Sequence, residues 1–191
     1  AVGAFSSDAN TTGSYNSGFG QSSLGSNTTG SNNTGLGRGA LSANTTADDN
    51  TAVGYQALTA NTTGTANTSV GKNALATTTT ADNNTAVGFQ ALNANTSGTR
   101  NSAVGKDALK AATTGSYNVA MGTFAADALT TGASNIAIGD ASLSTLTTGD
   151  DNVAVGQAAL FACTGSNNTA VGSDALVANT SASNNTAVGY Q

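Results

Sequence analysis

Residues 50–66 read Asn-Thr-Ala-Val-Gly-Tyr-Gln-Ala-Leu-Thr-Ala-Asn-Thr-Thr-Gly-Thr-Ala, and at Asn67 the phrase begins again. The glycine that closes each N-x-A-V-G segment falls at Gly3, Gly20, Gly37, Gly54, Gly71, Gly88, Gly105, Gly122, Gly139, Gly156, Gly172 and Gly189. Ten of these eleven intervals are seventeen residues, and the one from Gly156 to Gly172 is sixteen. A unit this short buries its apolar side only against the units before and after it, so the chain reads as identical coils stacked along an axis. The expectation is an all-β chain: a parallel β-solenoid forming a single repeat domain over residues 1–191, with about eleven 17-residue coils.

The columns of this internal alignment describe one coil. The residue before each glycine is apolar throughout, as at Val53, Val70, Val87, Val104, Met121, Ile138 and Val155. The residue before that is Ala, Gly or Ser, and the one before it is Ser, Thr, Val or Ile. Such alternation of β-formers predicts a short strand of period two. Asn opens the strand at Asn16, Asn33, Asn50, Asn67, Asn84, Asn101, Asn118, Asn135, Asn152, Asn168 and Asn185. Leu stands four residues after the glycine in nine of eleven repeats, and the A-N-T-T that follows reads as a second strand-like piece. Recurrent Asn, Thr and Gly leave no room for a helix there. Two short strands and two turns per coil are therefore expected, and the sixteen-residue repeat predicts a local defect in the second strand near Cys163.

Within the first strand, Thr51 and Val53 point one way and Ala52 the other. A narrow coil buries one side only: either Ala and Leu lie inside and leave Val53, Val87, Val104, Met121, Ile138 and Val155 as an outer apolar row, or the reverse, and a fatter coil would bury both rows. A continuous row of this kind on a rod marks an interface. With strands roughly 4.8 Å apart, eleven coils make a rod about 50 Å long.

Composition removes several function classes. The chain has no His, Glu, Pro or Trp, and only five cations, Arg38, Lys72, Arg100, Lys106 and Lys110, against a net charge of −5. Nucleic-acid binding needs clustered cations to neutralise phosphates, so no nucleic-acid partner is expected. No apolar run approaches a membrane span, so membrane insertion is not expected either. Both ends fall part-way through a repeat, which reads as an excerpt of a longer fibre protein.

The phrases Asn101-Ser102-Ala103-Val104-Gly105 and Asn135-Ile136-Ala137-Ile138-Gly139 resemble the head repeat of trimeric autotransporter adhesins, and Asn50–Leu58 and Asn84–Leu92 resemble repeats of phage tail fibres. The resemblance extends over essentially the whole chain. It implies a left-handed β-roll, three chains wound about one axis as a homotrimer, and exposure on a virion or cell surface in support of host attachment. The adhesin repeat is about three residues shorter, which tilts the reading toward the phage fibre. The alternatives are a bacterial adhesin head and an ice-binding solenoid.

The candidate chemistry is correspondingly sparse. Cys163 has no base in its neighbourhood of sequence and no His exists anywhere, so no nucleophile–base pair can be assembled and no enzyme is expected. Neither metal nor cofactor is expected. Asp48-Asp49 and Asp150-Asp151 could supply oxygen ligands to Ca²⁺, but they read instead as solvated charges in turns. Stacked amides of Asn50, Asn67, Asn84, Asn101, Asn118, Asn135 and Asn152 predict a structural hydrogen-bonded ladder. Gly54, Gly71, Gly88, Gly105, Gly122, Gly139 and Gly156 read as turn glycines needing positive φ or close packing. Paired threonines such as Thr11-Thr12, Thr28-Thr29, Thr45-Thr46 and Thr62-Thr63 form the array on which ice binding would depend. Of the turn aromatics, Tyr55, Phe89, Tyr117 and Tyr190 are the candidate contacts to a cell-surface glycan or receptor.

Overall fold

The computed structural model describes residues 1–191 and contains eleven strands and no helix. Each strand is the three-residue segment after the Asn column: β1 Ser17–Phe19, β2 Thr34–Leu36, β3 Thr51–Val53, β4 Thr68–Val70, β5 Thr85–Val87, β6 Ser102–Val104, β7 Val119–Met121, β8 Ile136–Ile138, β9 Val153–Val155, β10 Thr169–Val171 and β11 Thr186–Val188. They form one parallel sheet in chain order, with identical columns facing each other: Thr51 opposite Thr68, Ala52 opposite Ser69, Val53 opposite Val70. The chain is a β-solenoid of about ten turns. With no helix present, none is long and apolar enough to cross a membrane.

Strand pairing is the smaller part of what holds the stack. Of 124 backbone hydrogen bonds, only 20 lie within the strands. Much of the remainder joins turn residues to the coil above or below, as Gln56 N–H to Arg38 O, Leu58 N–H to Ala74 O and Thr62 N–H to Thr79 O. Bonds such as Ala57 N–H to Gly54 O and Asn61 N–H to Leu58 O close turns inside the same coil.

The second strand is absent. Residues 55–60 are a run of turns and the rest of the A-N-T-T piece, residues 61–63, is irregular with a bend at Thr62–Thr63; the reversal begins at Leu58, whose φ is +51°. Three non-glycine positions per coil adopt this left-handed conformation, in the columns of Gln56, Leu58 and Ala66. Each such residue costs roughly 1–2 kcal/mol. Burial of the Leu column offsets that cost: Leu24, Leu41, Leu58, Leu75, Leu92, Leu109, Leu143 and Leu160 are fully buried. A left-handed Leu swings its side chain back beneath the strand, where it packs on the strand alanines Ala52, Ala86 and Ala103 and on the Ala57 column. The core is thus one Ala–Leu–Ala stack, one side chain thick. None of the left-handed non-glycine residues is Val, Ile or Thr, although these types are abundant elsewhere in the chain. A β-branched side chain at positive φ collides with its own backbone.

Gly54 shows why its column tolerates no side chain. Its φ is +135°, and a Cβ would stand 2.6 Å from the carbonyl oxygen of Gly71 in the next coil. The missing residue of the sixteen-residue repeat is one Thr of the Thr-Thr turn, since Cys163-Thr164-Gly165 replaces the pattern Leu146-Thr147-Thr148-Gly149. The turn absorbs the loss. Val153 still faces Thr169, and the backbone N–H of Asn168 still donates to Asn152 Oδ1 at 3.0 Å.

Candidate recognition surface

Ligands reach only the side chains left outside the stack, so the ladders decide what is available. Asn67 donates its backbone N–H to Asn50 Oδ1 at 3.0 Å, and its Nδ2 to the same oxygen at 3.2 Å and to Ala81 O at 2.8 Å. Backbone N–H to Oδ1 bonds of 2.9–3.1 Å continue the column from Asn33 to Asn185. Asn50, Asn67, Asn84, Asn101, Asn118, Asn135 and Asn152 are all buried, with their amides spent on neighbouring coils.

A second amide ladder, not anticipated from the sequence, runs beside the first and shares its carbonyl acceptors: Asn50 and Asn61 both donate to Gly64 O. Asn27 donates to Asn10 Oδ1 at 3.0 Å, Asn44 to Asn27 at 2.8 Å and Asn61 to Asn44 at 3.1 Å. Thr78 interrupts it, and Ala112, Leu129, Leu146 and Cys163 then replace amide with apolar packing. The Oδ1 atoms of Asn61 and Asn95, at the two breaks, are buried without a donor. The signal in the sequence is the Asn of the A-N-T-T phrase, which recurs every seventeen residues through Asn61.

Other polar columns are similarly committed. Thr28, Thr45 and Thr62 donate their hydroxyls to the carbonyls of Thr45, Thr62 and Thr79 at 3.0–3.1 Å. That Thr row therefore directs its hydroxyl protons at protein. The aspartates of the column before the Asn are not simply solvated charges. Asp48, Asp82 and Asp150 each accept a backbone N–H from the preceding coil, those of Ser31, Thr65 and Ala133, at 2.6–2.7 Å. No three side chains of the His, Cys, Asp or Glu type are clustered so as to hold a metal ion. Cys163 is buried, and desolvation pushes its thiol above the ordinary value, against lowering contributions from Gly165 O and Asn168.

What remains outside is the sheet's outer face and the turn next to it. The apolar row runs the length of that face. Val53, Val87 and Val155 are half-buried, whereas Val104, Met121 and Ile138 are 37%, 46% and 37% exposed. Beside them stand the half-buried Thr51, Thr68 and Thr85, and then Val119, Ile136 and Val153, which widen the apolar band in the middle of the rod.

The turn after the glycine carries Tyr55, Phe89, Phe124 and Tyr190, and the turn before the Asn column carries Tyr117. Tyr55, Phe89, Tyr117 and Tyr190 are all exposed. Tyr55 lies between two cations, with the Arg38 guanidinium 5.6 Å and the Lys72 ammonium 5.8 Å from its ring centre. Lys72 is also 5.9 Å from the Phe89 ring, and Lys106 is 4.4 Å from that of Phe124. Tyr117 sits in a different column, where Arg100 stacks on its ring at 5.3 Å and donates to its hydroxyl. Tyr190 has no cation partner. The structure thus joins Tyr55 and Phe89 into one array and leaves Tyr117 and Tyr190 apart from it. Comparison of the chain with protein-family models, curated proteins and solved structures finds no match.

Proposed function

We propose that this chain is a non-enzymatic structural segment of a surface fibre, most consistent with a phage tail fibre or a related extracellular appendage, and that three copies associate along the rod axis. The observation that carries the reading is the apolar row on the outer face. On a coil one side chain thick, Val104, Met121 and Ile138 remain open to water, in line with the half-buried valines above and below. Contiguous apolar surface of this length is covered in use. Copies related by an axis parallel to the rod would cover it along its whole length, because every coil presents the same column in the same direction.

The mechanism is mechanical. Backbone bonds at nearly every level, a buried amide ladder and a continuous Ala–Leu core resist bending and local opening, which suits a spacer that holds a recognition element away from a surface. Attachment to a cell-surface glycan or receptor then falls to the turns.

The test is the molar mass of the chain by light scattering. A mass of about 55 kDa, three times the 18.3 kDa chain, is expected. An 18.3 kDa particle at all concentrations overturns the trimer. Replacing Met121 and Ile138 by Ser is expected to shift the trimer toward monomer without loss of β-structure.

A further inference from the structure

The column directly after the strand glycine reads Arg38, Tyr55, Lys72, Phe89, Lys106 in five consecutive coils. Cation and aromatic alternate strictly. Because neighbouring coils are about 4.8 Å apart, the cation positions recur at about 9.6 Å along the rod, with an aromatic position of the same column between each pair; the Lys106 ammonium itself rests on Phe124, 4.4 Å from the ring centre. The side chains touch: Arg38 and Lys72 flank the Tyr55 ring, and Lys72 also reaches that of Phe89. All five are exposed, Tyr55 and Phe89 by 39% and 41%.

This strip is also the one basic region of an acidic chain. It holds three of the five cations, and Lys110 lies beside Lys106. Arg38 and Lys72 form no ion pair. The single acid on the strip, Asp107, is buried and faces Lys106 and Lys110 at 3.3 Å each, so that end keeps a net positive charge. Alongside Arg38 runs a groove of about 130 Å³ that contains no apolar side chain and is walled by Gln21, Ser22, Ser42, Gln56 and Thr59.

We propose that the strip Arg38–Tyr55–Lys72–Phe89–Lys106 binds an extended acidic polysaccharide, laid along the rod, that carries a carboxylate on every second sugar. The chemistry matches unit by unit. A pyranose in an extended chain advances by about one coil. The exposed part of an aromatic ring packs against the apolar C–H face of one sugar, and the flanking cations pair with the carboxylates of the sugars on either side. The hydroxyls and amides of the groove beside Arg38 meet sugar hydroxyls. Single-stranded nucleic acid also combines stacking with cations, but its more closely spaced phosphates call for more positive charge than three residues in a chain of net charge −5 provide. The proposal names the ligand class for the surface-attachment reading above and rests on it.

The experiment uses the chain with hyaluronate oligosaccharides, whose carboxylates alternate with uncharged sugars, followed by calorimetry at low and physiological salt. Neutral cello-oligosaccharides and single-stranded DNA are the comparison ligands. Binding of hyaluronate that weakens with salt is expected, with Lys72→Gln and Tyr55→Ala each weakening it about tenfold or more. Arg100→Gln removes the same charge from another column and is expected to leave binding within about twofold. Circular dichroism of each variant verifies the fold. Absence of hyaluronate binding, equal loss in Arg100→Gln, or stronger binding of DNA overturns the proposal. Mass separates the two readings. A trimer that does not bind refutes the strip alone, and a monomer that binds refutes the trimeric fibre while keeping the strip.

Discussion

Asn84 lies in the middle of the stack, and replacing it isolates the contribution of the amide ladder. Its Oδ1 accepts the backbone N–H of Asn101 at 3.0 Å, and its Nδ2 donates to Gly98 O at 2.9 Å, Asp82 O at 3.2 Å and Asn67 Oδ1 at 3.3 Å. In Asn84→Ala, Gly98 O retains the Asn95 amide at 3.0 Å, and Asn67 Oδ1 retains the Asn84 backbone N–H. The buried Asn101 N–H has no other acceptor. One orphaned donor costs about 1–3 kcal/mol, and the further bonds lost bring the expected destabilisation to about 3–5 kcal/mol.

Asn84→Asp keeps the shape and separates packing from polarity. One carboxyl oxygen still accepts from Asn101, while the other faces three acceptors, Gly98 O, Asp82 O and Asn67 Oδ1. The ionised form is repelled, and the protonated form donates to Gly98 O. The folded-state pKa of the introduced carboxyl is therefore raised above the unfolded value of about 3.9. Below that value the variant matches the parent. As pH rises through and above it, the folded state holds more protons than the unfolded one, so stability falls until the folded pKa is passed. The loss is about 1.4 kcal/mol for each pH unit between the unfolded and folded values. The assay is guanidinium unfolding followed by circular dichroism from about pH 3 to 8, with the parent's own pH dependence subtracted. A cost below about 1 kcal/mol for the Ala variant, or a parent-like pH profile for the Asp variant, refutes the ladder as a source of stability.

Thr78→Asn is expected to repair the second ladder, supplying a donor to the unpartnered Asn61 Oδ1 and a better acceptor for Asn95 Nδ2, now 3.4 Å from Thr78 Oγ1. Asn95 O keeps its bond from Thr77, so a gain of about 1–2 kcal/mol should appear as a higher denaturant midpoint; no gain would mean that the orphaned Asn61 oxygen costs nothing. Gly54→Ala combines φ of +135° with a Cβ 2.6 Å from Gly71 O and is expected to cost at least about 3 kcal/mol, read as early hydrogen exchange in the coils around residue 54; parent-like protection there would contradict the packing argument. Cys163 is buried with its thiol pushed up, so native labelling by a thiol reagent should run at least about 100-fold slower than in denaturant. The same upward displacement should lower stability only as pH climbs past the ordinary thiol value of 9.0, because ionisation is then favoured in the unfolded chain.

The inward direction of Ala52 and the three-residue length of the strand were decided by the structure, whereas the period, the parallel stacking, a short strand of period two and the Asn column were legible in the sequence. Each follows from a constraint local to one column: a residue type that recurs every seventeen positions meets itself in the next coil, and period two assigns sides within a strand. The second half of the coil was not legible in this way. The A-N-T-T piece, residues 60–63, has the Thr content of a strand, and only the tertiary structure makes turns and a bend of residues 55–63, because a coil one side chain thick has to return on itself within a few residues. That return places Leu58 at a φ of +51°, a conformation no local propensity favours and only burial of the Leu column sustains. Its trace in the sequence is negative, the exclusion of Val, Ile and Thr from three columns. The strip from Arg38 to Lys106 lies between these cases. Its members could be read from the turns, but a contact between residues seventeen apart exists only where the stack brings successive coils into register.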